Sequence, residues 1–248
     1  MELLRINNLS VTIDDKKTIL KNVDLSLCSG DVLCISGDNG SGKSTLLKVI
    51  LGELPGFKVD GKIVFKNDKN LLVEKDIQWF KRLIAYVPQE DTFACDTPFE
   101  ELMYSYKLHT GEEDSSYINS IFEKFGLEHL KNKKLYGKNG AQLSGGEKKM
   151  ISLLSALCRK NAELFLIDEP LNNLDAKNVR TINNIIAEIH NNNPESGIIL
   201  VTHCHALSSI TEQYEIGNGN IEKTKEKYKC FNCFGDVDSK GYYKVWYG

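Results

Sequence analysis

The sequence lacks three features that would place it in large classes of proteins. No apolar run approaches the roughly 20 residues that a membrane-spanning helix needs. The formal net charge is −3, without the basic excess typical of nucleic-acid-binding proteins, so we expect no nucleic-acid partner. The first residues lack the charged and apolar regions of a signal peptide, so we expect the chain to stay in the cytoplasm.

The seven cysteines are scattered rather than arranged as a disulfide framework, and in a reducing compartment they are expected to be buried thiols. Cys230 and Cys233 form a C-x-x-C pair, which is half of a zinc-ribbon ligand set. No second cysteine pair or histidine follows before Gly248, so zinc would need distant ligands or another chain. The alternative, which we favour, is two ordinary thiols in a tail over 222–248 that begins as a charged, exposed connector.

The hydrophobic pattern predicts an α/β fold with a mostly parallel sheet. Two alternating strands within residues 3–27, joined by a polar turn at Asp14–Lys17, predict an N-terminal antiparallel subdomain. Residues 52–61 are predicted to be a loop before another strand of that sheet. Buried-type strands then alternate with helices, which indicates a parallel sheet covered on both faces. These strands are predicted within 32–35, 83–87, 164–167 and 198–202.

Residues 91–143 differ in character and predict a helical insertion in this core. Thr97 and Glu100 form a capping box with Pro98 at the first helical position, and apolar residues follow at helical spacing. A second helix is predicted to end at Gly126. We therefore expect one domain over 1–221 with an inserted helical subdomain.

A glycine-rich segment between a predicted strand and helix matches G-x-x-x-x-G-K-S, the pattern of a phosphate-binding loop. Converging backbone N–H groups and the following helix N-terminus form an anion site. Lys43 is expected to reach the β- and γ-phosphates of a nucleotide, and Ser44 to offer its hydroxyl to Mg²⁺. The residues of this loop are Gly37, Asp38, Asn39, Gly40, Ser41, Gly42, Lys43, Ser44 and Thr45.

Polar side chains follow the predicted buried strands, at the sheet edge where doubly wound folds bind ligands. Asp168 is expected to hold Mg²⁺ opposite Ser44, and Glu169 to accept a proton from the attacking water. Gln89 follows another strand, where its amide oxygen can reach the metal or the water, but taken alone a solvated loop glutamine is favoured. His203 follows the last strand, where an imidazole can hydrogen-bond the γ-phosphate and orient the water, but taken alone a satisfied histidine at a strand end is favoured.

Ser144 and Glu147 form a second capping box, with Gly145 and Gly146 between them. Glycine costs helix stability, and capping does not explain the pair, so we expect another molecule to approach this backbone closely. One chain would then hold two phosphate sites, this helix N-terminus and the glycine-rich loop, for a single nucleotide. The simplest resolution is a head-to-tail pair of subunits. The helix N-terminus at 144–146 of one subunit, here called the tip, then faces the phosphate-binding loop of the other.

Taken in order, these segments resemble the nucleotide-binding subunit of ATP-binding cassette (ABC) proteins over nearly the whole chain to about Ile221. The resemblance implies that ATP and Mg²⁺ are bound between two subunits, with Glu169 as catalytic base and Asp175 coupling the sites. It also implies that the helical insertion touches a membrane partner. The matching motifs are Walker A at 37–45, the Q-loop at Gln89, the signature at 143–147, Walker B at 164–169, the D-loop at 171–175 and the switch histidine at 203.

The chain departs from the family pattern at two positions. An aromatic residue usually stacks on adenine, but here the corresponding position is Ile13, and no Tyr, Phe or Trp occurs from Leu9 to Ile19. Because stacking contributes about 1 kcal/mol or more per base, we expect ATP binding with looser base preference. Glu147 stands where many family members have Gln, and either residue can cap the helix.

We therefore expect the ATPase subunit of an ABC transporter, peripheral on the inner face of the cell membrane and partnered by a transmembrane permease subunit. The second ATPase subunit is an identical chain or a sister chain. One alternative is an ABC ATPase that drives protein or cofactor assembly away from the membrane. Another is a regulatory sensor that binds ATP without hydrolysing it.

Overall fold

A computed structural model describes most of the chain, and its described residues form ten strands and five α-helices. The described ranges are 1–14, 17–66, 69–72, 79–136, 143–172, 174–202 and 210–224. The strands are β1 Glu2–Ile13, β2 Lys17–Cys28, β3 Val32–Ser36, β4 Phe57–Phe65, β5 Lys69–Asn70, β6 Ile84–Val87, β7 Leu164–Asp168, β8 Gly197–Val201, β9 Glu212–Gly217 and β10 Asn220–Lys223. The helices are α1 Lys43–Ile50, α2 Pro98–Thr110, α3 Ser115–Phe125, α4 Gly145–Leu157 and α5 Ala176–Asn192, with a 3₁₀ turn at Glu128–Leu130.

The N-terminal antiparallel sheet has the order β2-β1-β4-β5 among the described strands. The prediction of a loop over 52–61 was wrong in its second half, because β4 begins at Phe57. Gly61 lies within this strand with φ 108°, and a Cβ there would come within 2.6 Å of the Asn8 carbonyl oxygen. The glycine therefore accommodates an irregularity in the β1–β4 pairing rather than ending a loop.

The second sheet has the order β10-β9-β3-β8-β7-β6 in the described part of the chain. The five strands from β9 to β6 in this order run parallel to one another, and only the β10–β9 pair of this described sheet is antiparallel. The predicted α/β class with a mostly parallel sheet is confirmed. Every residue of β3, β7 and β8 is buried, as expected for strands with both faces covered.

Successive residues of the parallel strands point into two different cores. In β7, Phe165 and Ile167 pack with the helices α2 to α5, whereas Leu164 and Leu166 pack with α1 and the antiparallel sheet. This follows from the two-residue period of a strand. The parallel sheet is therefore the middle layer, and the carboxyl ends of β3 and β7 lie at one shared edge.

Both predicted capping boxes are formed. The Thr97 side chain accepts from the Glu100 amide at the start of α2, and the Ser144 side chain accepts from the Glu147 amide at the start of α4. Gly126 ends α3 in the left-handed conformation. These local signals set the boundaries of the helices between β6 and β7.

Two strands, β9 and β10, were not predicted from the hydrophobic pattern. Their hairpin turns through Asn218 and Gly219, both with positive φ, a signal that the sequence carries as Gly-Asn-Gly-Asn. Glu222 and Lys223, predicted to begin the charged connector, instead end β10 and are exposed there.

None of the described helices is both long and apolar enough to cross a bilayer.

Candidate nucleotide site

The glycine-rich loop runs from the end of β3 into α1, as its pattern predicts. Gly37 has φ 145°, and a Cβ at this position would lie 2.2 Å from the carbonyl oxygen of Ile216. No other residue type fits against β9 without displacing backbone. Gly42 precedes α1 in the left-handed region, so the first amides of the helix open towards the loop.

Lys43 is held at the inside of this loop. Its Nζ donates to the carbonyl oxygens of Gly37 at 2.9 Å and Asp38 at 3.0 Å. The same nitrogen lies 3.6 Å from Oε1 of Glu169, and both side chains are buried. The ammonium therefore stands between the loop and the end of β7.

Ser44 and Asp168 meet across the same edge. The Ser44 hydroxyl donates to Oδ1 of Asp168 at 3.1 Å, and Asp168 is only 1% exposed. Burial raises the pKa of the Asp168 carboxyl, and this is partly offset by the Ser44 hydrogen bond and by nearby lysine charges. A hydroxyl and a buried carboxylate side by side are a donor set that suits Mg²⁺.

Glu169 follows β7 in a backbone conformation that is unusual for a residue with a side chain. Its φ is 47°, and its amide donates to the Val201 carbonyl oxygen at 2.8 Å. The hydrogen bond to β8 holds this turn in place.

Burial, with the Glu169 charge nearby, raises the pKa of the Cys34 thiol to about 12, so this cysteine stays protonated and is no nucleophile.

A cavity of about 730 Å³ opens over the loop. The Ser41 hydroxyl oxygen is buried and has no hydrogen-bond partner within the described residues. A buried polar atom of this kind is satisfied when a ligand oxygen or N–H group occupies the cavity. The lining comprises Lys17, Thr18, Ile19, Lys21, the loop residues 38–45, Gln89, Glu169 and 216–219.

Two segments of this lining were not anticipated from the sequence. Ile19 and its neighbours in β2 border the cavity, whereas Ile13 pairs with Lys17 and Phe57 and is not among the described lining residues. The β9–β10 turn forms another wall. The Lys21 amide donates to the Gly219 carbonyl oxygen at 2.8 Å, which joins the turn to β2.

The predicted tip lies in a second cavity of about 500 Å³. Ser144, Gly145 and Gly146 line it together with Gln89 and Glu169, so the second cavity shares two residues with the first. Glu147 turns back to cap the helix, with Oε2 accepting from the Ser144 amide at 2.7 Å. Asp175 also lines this cavity and caps α5.

The two glycines of the pair differ in their surroundings. A Cβ at Gly146 would lie 2.8 Å from Nδ2 of Asn178 and 2.9 Å from Cδ2 of Leu174, so a side chain at this position would have to displace the ends of these two side chains. At Gly145 a Cβ would meet no described atom within 4 Å. Only Gly145 therefore leaves open backbone for another molecule.

Some predicted residues lie outside the described part of the chain. These are His203, Asn173 of the D-loop, and Cys230 and Cys233 of the tail. Among the described residues, no group of three or more His, Cys, Asp or Glu side chains could hold a metal ion. The Ser44 and Asp168 pair therefore fits a metal that takes its other ligands from a nucleotide and water.

A family model described as ABC transporter matches residues 20–172, which is more than half of the chain. This chain belongs to the ABC transporter family. The cytochrome c biogenesis ATP-binding export protein CcmA of Reclinomonas americana is 36% identical over 193 residues, covering 75% of this chain and 81% of the relative. The energy-coupling factor transporter ATP-binding protein EcfA1 of Fusobacterium nucleatum is 31% identical over 237 residues, covering 92% and 84%.

Solved structures of the family share the fold. The cbiO1 protein of Clostridium perfringens, part of an ABC transporter complex, superimposes with a TM-score of 0.71 at 24% identity, covering 89% of this chain and 87% of that chain. A nucleotide-free ATP-binding cassette of an ABC transporter gives 0.68 at 26% identity, covering 92% and 93%. The chain is an ATP-binding subunit of this family and an ATPase.

Proposed function

We propose that this chain hydrolyses MgATP in a pair of nucleotide sites and drives a separate membrane-spanning transport subunit. The observation that carries the proposal is the convergence of four side chains from α1 and the end of β7. Ser44 bonds Asp168 at 3.1 Å, and Lys43 lies 3.6 Å from Glu169. These groups suit a hydrolysis in which catalysis consists of positioning and charge stabilisation.

Each group then has a separate role. The loop amides over 37–45 and the Lys43 ammonium bind the phosphates, while Ser44, Asp168 and Gln89 hold Mg²⁺. When bound, Mg²⁺ neutralises the charge that develops on the phosphate oxygens. Glu169 accepts the proton of the attacking water, and His203 hydrogen-bonds the γ-phosphate and orients that water.

The second half of each site comes from a partner subunit in this proposal. The hydroxyl of Ser144 and the open backbone at Gly145 form a helix tip suited to a phosphate. Within one chain, this tip lines a different cavity from that of the loop. A head-to-tail pair, of identical or sister chains, brings tip and loop together around one ATP.

A groove of about 450 Å³ supports a membrane partner. One wall is the segment after β6, including Pro88 and Glu90, and another is α2. Tyr104 and Leu108 of α2 are 48% and 63% exposed and line this groove. We assign the groove to an amphipathic segment of the membrane subunit, with residues 91–143 as the helical subdomain, at the inner face of the membrane.

Sizing the Glu169→Gln variant with and without MgATP tests the paired sites. Binding without turnover is expected to convert a monomer into a dimer, and Ser144→Arg is expected to block that conversion by filling the tip. A species that stays monomeric at saturating MgATP contradicts the pairing.

Affinity purification from detergent-solubilised membranes tests the partner. We expect a multi-spanning membrane protein to co-purify at a constant ratio. Recovery of the chain entirely from the non-membrane fraction, with an assembly protein attached, would favour the alternative of an ATPase that drives protein or cofactor assembly.

A further inference from the structure

Lys149 of α4 is a buried lysine that the reaction described above does not use. Its side chain is 8% exposed, and Nζ donates to three oxygens. These are the carbonyl oxygens of Pro88 at 2.6 Å and Gln89 at 3.0 Å, and Oδ1 of Asp91 at 2.8 Å. An ammonium group has three N–H donors, so these three contacts satisfy it completely.

The buried ion pair of Lys149 and Asp91 fixes a defined geometry, but it is not expected to stabilise the fold by much. The Asp91 side chain is 9% exposed, and burial raises the pKa of its carboxyl, partly offset by the hydrogen bond and charge of Lys149. Buried ion pairs are costly to desolvate and are often no better for stability than apolar residues of the same size. The pair is therefore better explained by what it holds in place.

Lys149 joins two segments that belong to different halves of the proposed site. Pro88, Gln89 and Asp91 follow β6, and Gln89 borders the cavity over the phosphate-binding loop. Gly145 lies one helical turn before Lys149 on α4, beside the Ser144 tip. Both segments line the second cavity, with Lys149 between them.

We propose that Lys149 is a positioning residue that makes the Gln89 segment and the Ser144 tip move as one body. Binding of metal or water by Gln89 in one nucleotide site would thereby set the position of the Ser144 tip. That tip completes the other nucleotide site. The inference rests on the proposed paired function. It assigns communication between the two nucleotides to this one ammonium group.

Lys149→Met tests the link because it keeps the length of the side chain and removes its donors. Hydrogen exchange followed by mass spectrometry is expected to show faster exchange over 86–93. We expect kcat to fall about 10- to 100-fold through misplacement of Gln89 and the tip. The dissociation constant for ATP, measured before turnover, is expected to change less than about twofold, since the phosphate-binding loop is untouched.

Coupling between the sites is read from the ATP dependence of the rate. We expect a Hill coefficient above one in the wild type, as paired and communicating sites imply, and a value of one in Lys149→Met. The matched control is Lys124→Met, which removes a lysine that pairs with Glu188 between α3 and α5, away from both cavities. Its kinetics and its exchange over 86–93 are expected to match the wild type.

Unchanged exchange over 86–93, or an unchanged Hill coefficient, in Lys149→Met overturns the inference. If that variant does not fold, Lys149→Gln decides, since its shorter side chain has only two N–H donors and cannot make all three contacts. It is expected to loosen 86–93 and reduce the Hill coefficient, and wild-type values would overturn the inference. A wild type that stays monomeric with ATP contradicts the paired function instead, whereas the exchange measurement still reports on the link within one chain.

Discussion

The Ser44 hydroxyl donates to Oδ1 of Asp168 over 3.1 Å, although the two residues are 124 positions apart in the sequence. Ser44 belongs to the first turn of α1, and Asp168 ends strand β7 of the parallel sheet. Packing of α1 on the parallel sheet brings them together. The contact defines a two-oxygen site, and burial raises the pKa of its carboxyl despite the Ser44 hydrogen bond and nearby lysine charges.

Asp168→Asn should therefore stabilise the protein without nucleotide while abolishing hydrolysis. The pKa of Asp168 is raised in the fold, so the folded state binds protons more readily than the unfolded one. Stability is then lost as pH rises from the ordinary aspartate value through the raised one, and the neutral amide avoids this loss. We expect a gain of about 1 kcal/mol at pH 7, measured by denaturant unfolding.

Unfolding of Asp168→Asn and wild type at a second, lower pH shows whether burial of the charged carboxylate causes the difference in stability. At a pH below the ordinary aspartate value, the stability difference between Asp168→Asn and wild type should vanish. A variant that is less stable than wild type at pH 7 would show that the carboxylate, even without metal, stabilises the fold.

Glu169→Gln should retain nucleotide binding and lose turnover. The amide keeps the size of the side chain but cannot accept a proton, and general base catalysis typically contributes about 10²- to 10⁴-fold. We expect phosphate release to fall by at least about 100-fold. Glu163→Gln is the matched control, because Glu163 precedes the same strand, pairs with Lys66 and lies away from both cavities. Equal losses in the two variants would exclude Glu169 as the base.

Nucleotide selectivity should be low, because the described lining of the first cavity contains no aromatic side chain. We expect kcat/KM for GTP within about tenfold of that for ATP, since a missing stacking contact removes about 1–3 kcal/mol of base binding. Steady-state phosphate release with each nucleotide measures this. A preference for ATP above about 100-fold would require a base contact outside this lining.

Ile19 and Ile13 are predicted to differ in their effect on binding. Ile19→Ala removes a side chain that lines the cavity and should weaken ATP binding about three- to tenfold. Ile13→Ala should change it less than about twofold, and titration calorimetry separates the two. The reverse order would restore Ile13 as the base contact, as expected from its position in the family pattern.

Leu108→Gln should weaken association with the membrane subunit and leave the basal ATPase rate unchanged. Leu108 is 63% exposed on α2 and lines the groove assigned to the partner. We expect co-purification from solubilised membranes to fall at least about fivefold through loss of a buried apolar contact. Lys58→Gln, an exposed change in the antiparallel sheet, is the control. Equal recovery of the two variants would place the partner elsewhere.

Short stretches of the sequence already predict many of the secondary-structure elements. The phosphate-binding loop, the two capping boxes and the buried strands depend on residues within about one turn or one strand of each other. Glycine, proline and the capping residues act on the backbone within a few positions. The sequence therefore determined the element types around Lys43, Thr97 and Ser144 and the family resemblance that follows from their order.

Tertiary structure alone decided which of these elements meet. It placed Ser44 on Asp168, brought the β9–β10 turn to the loop and paired Lys149 with the segment after β6. It also placed the side-chain ends of Leu174 and Asn178 against Gly146 and left Gly145 open. Contacts between distant segments arise from how whole faces of helices and sheets bury apolar surface, and no local pattern encodes that arrangement.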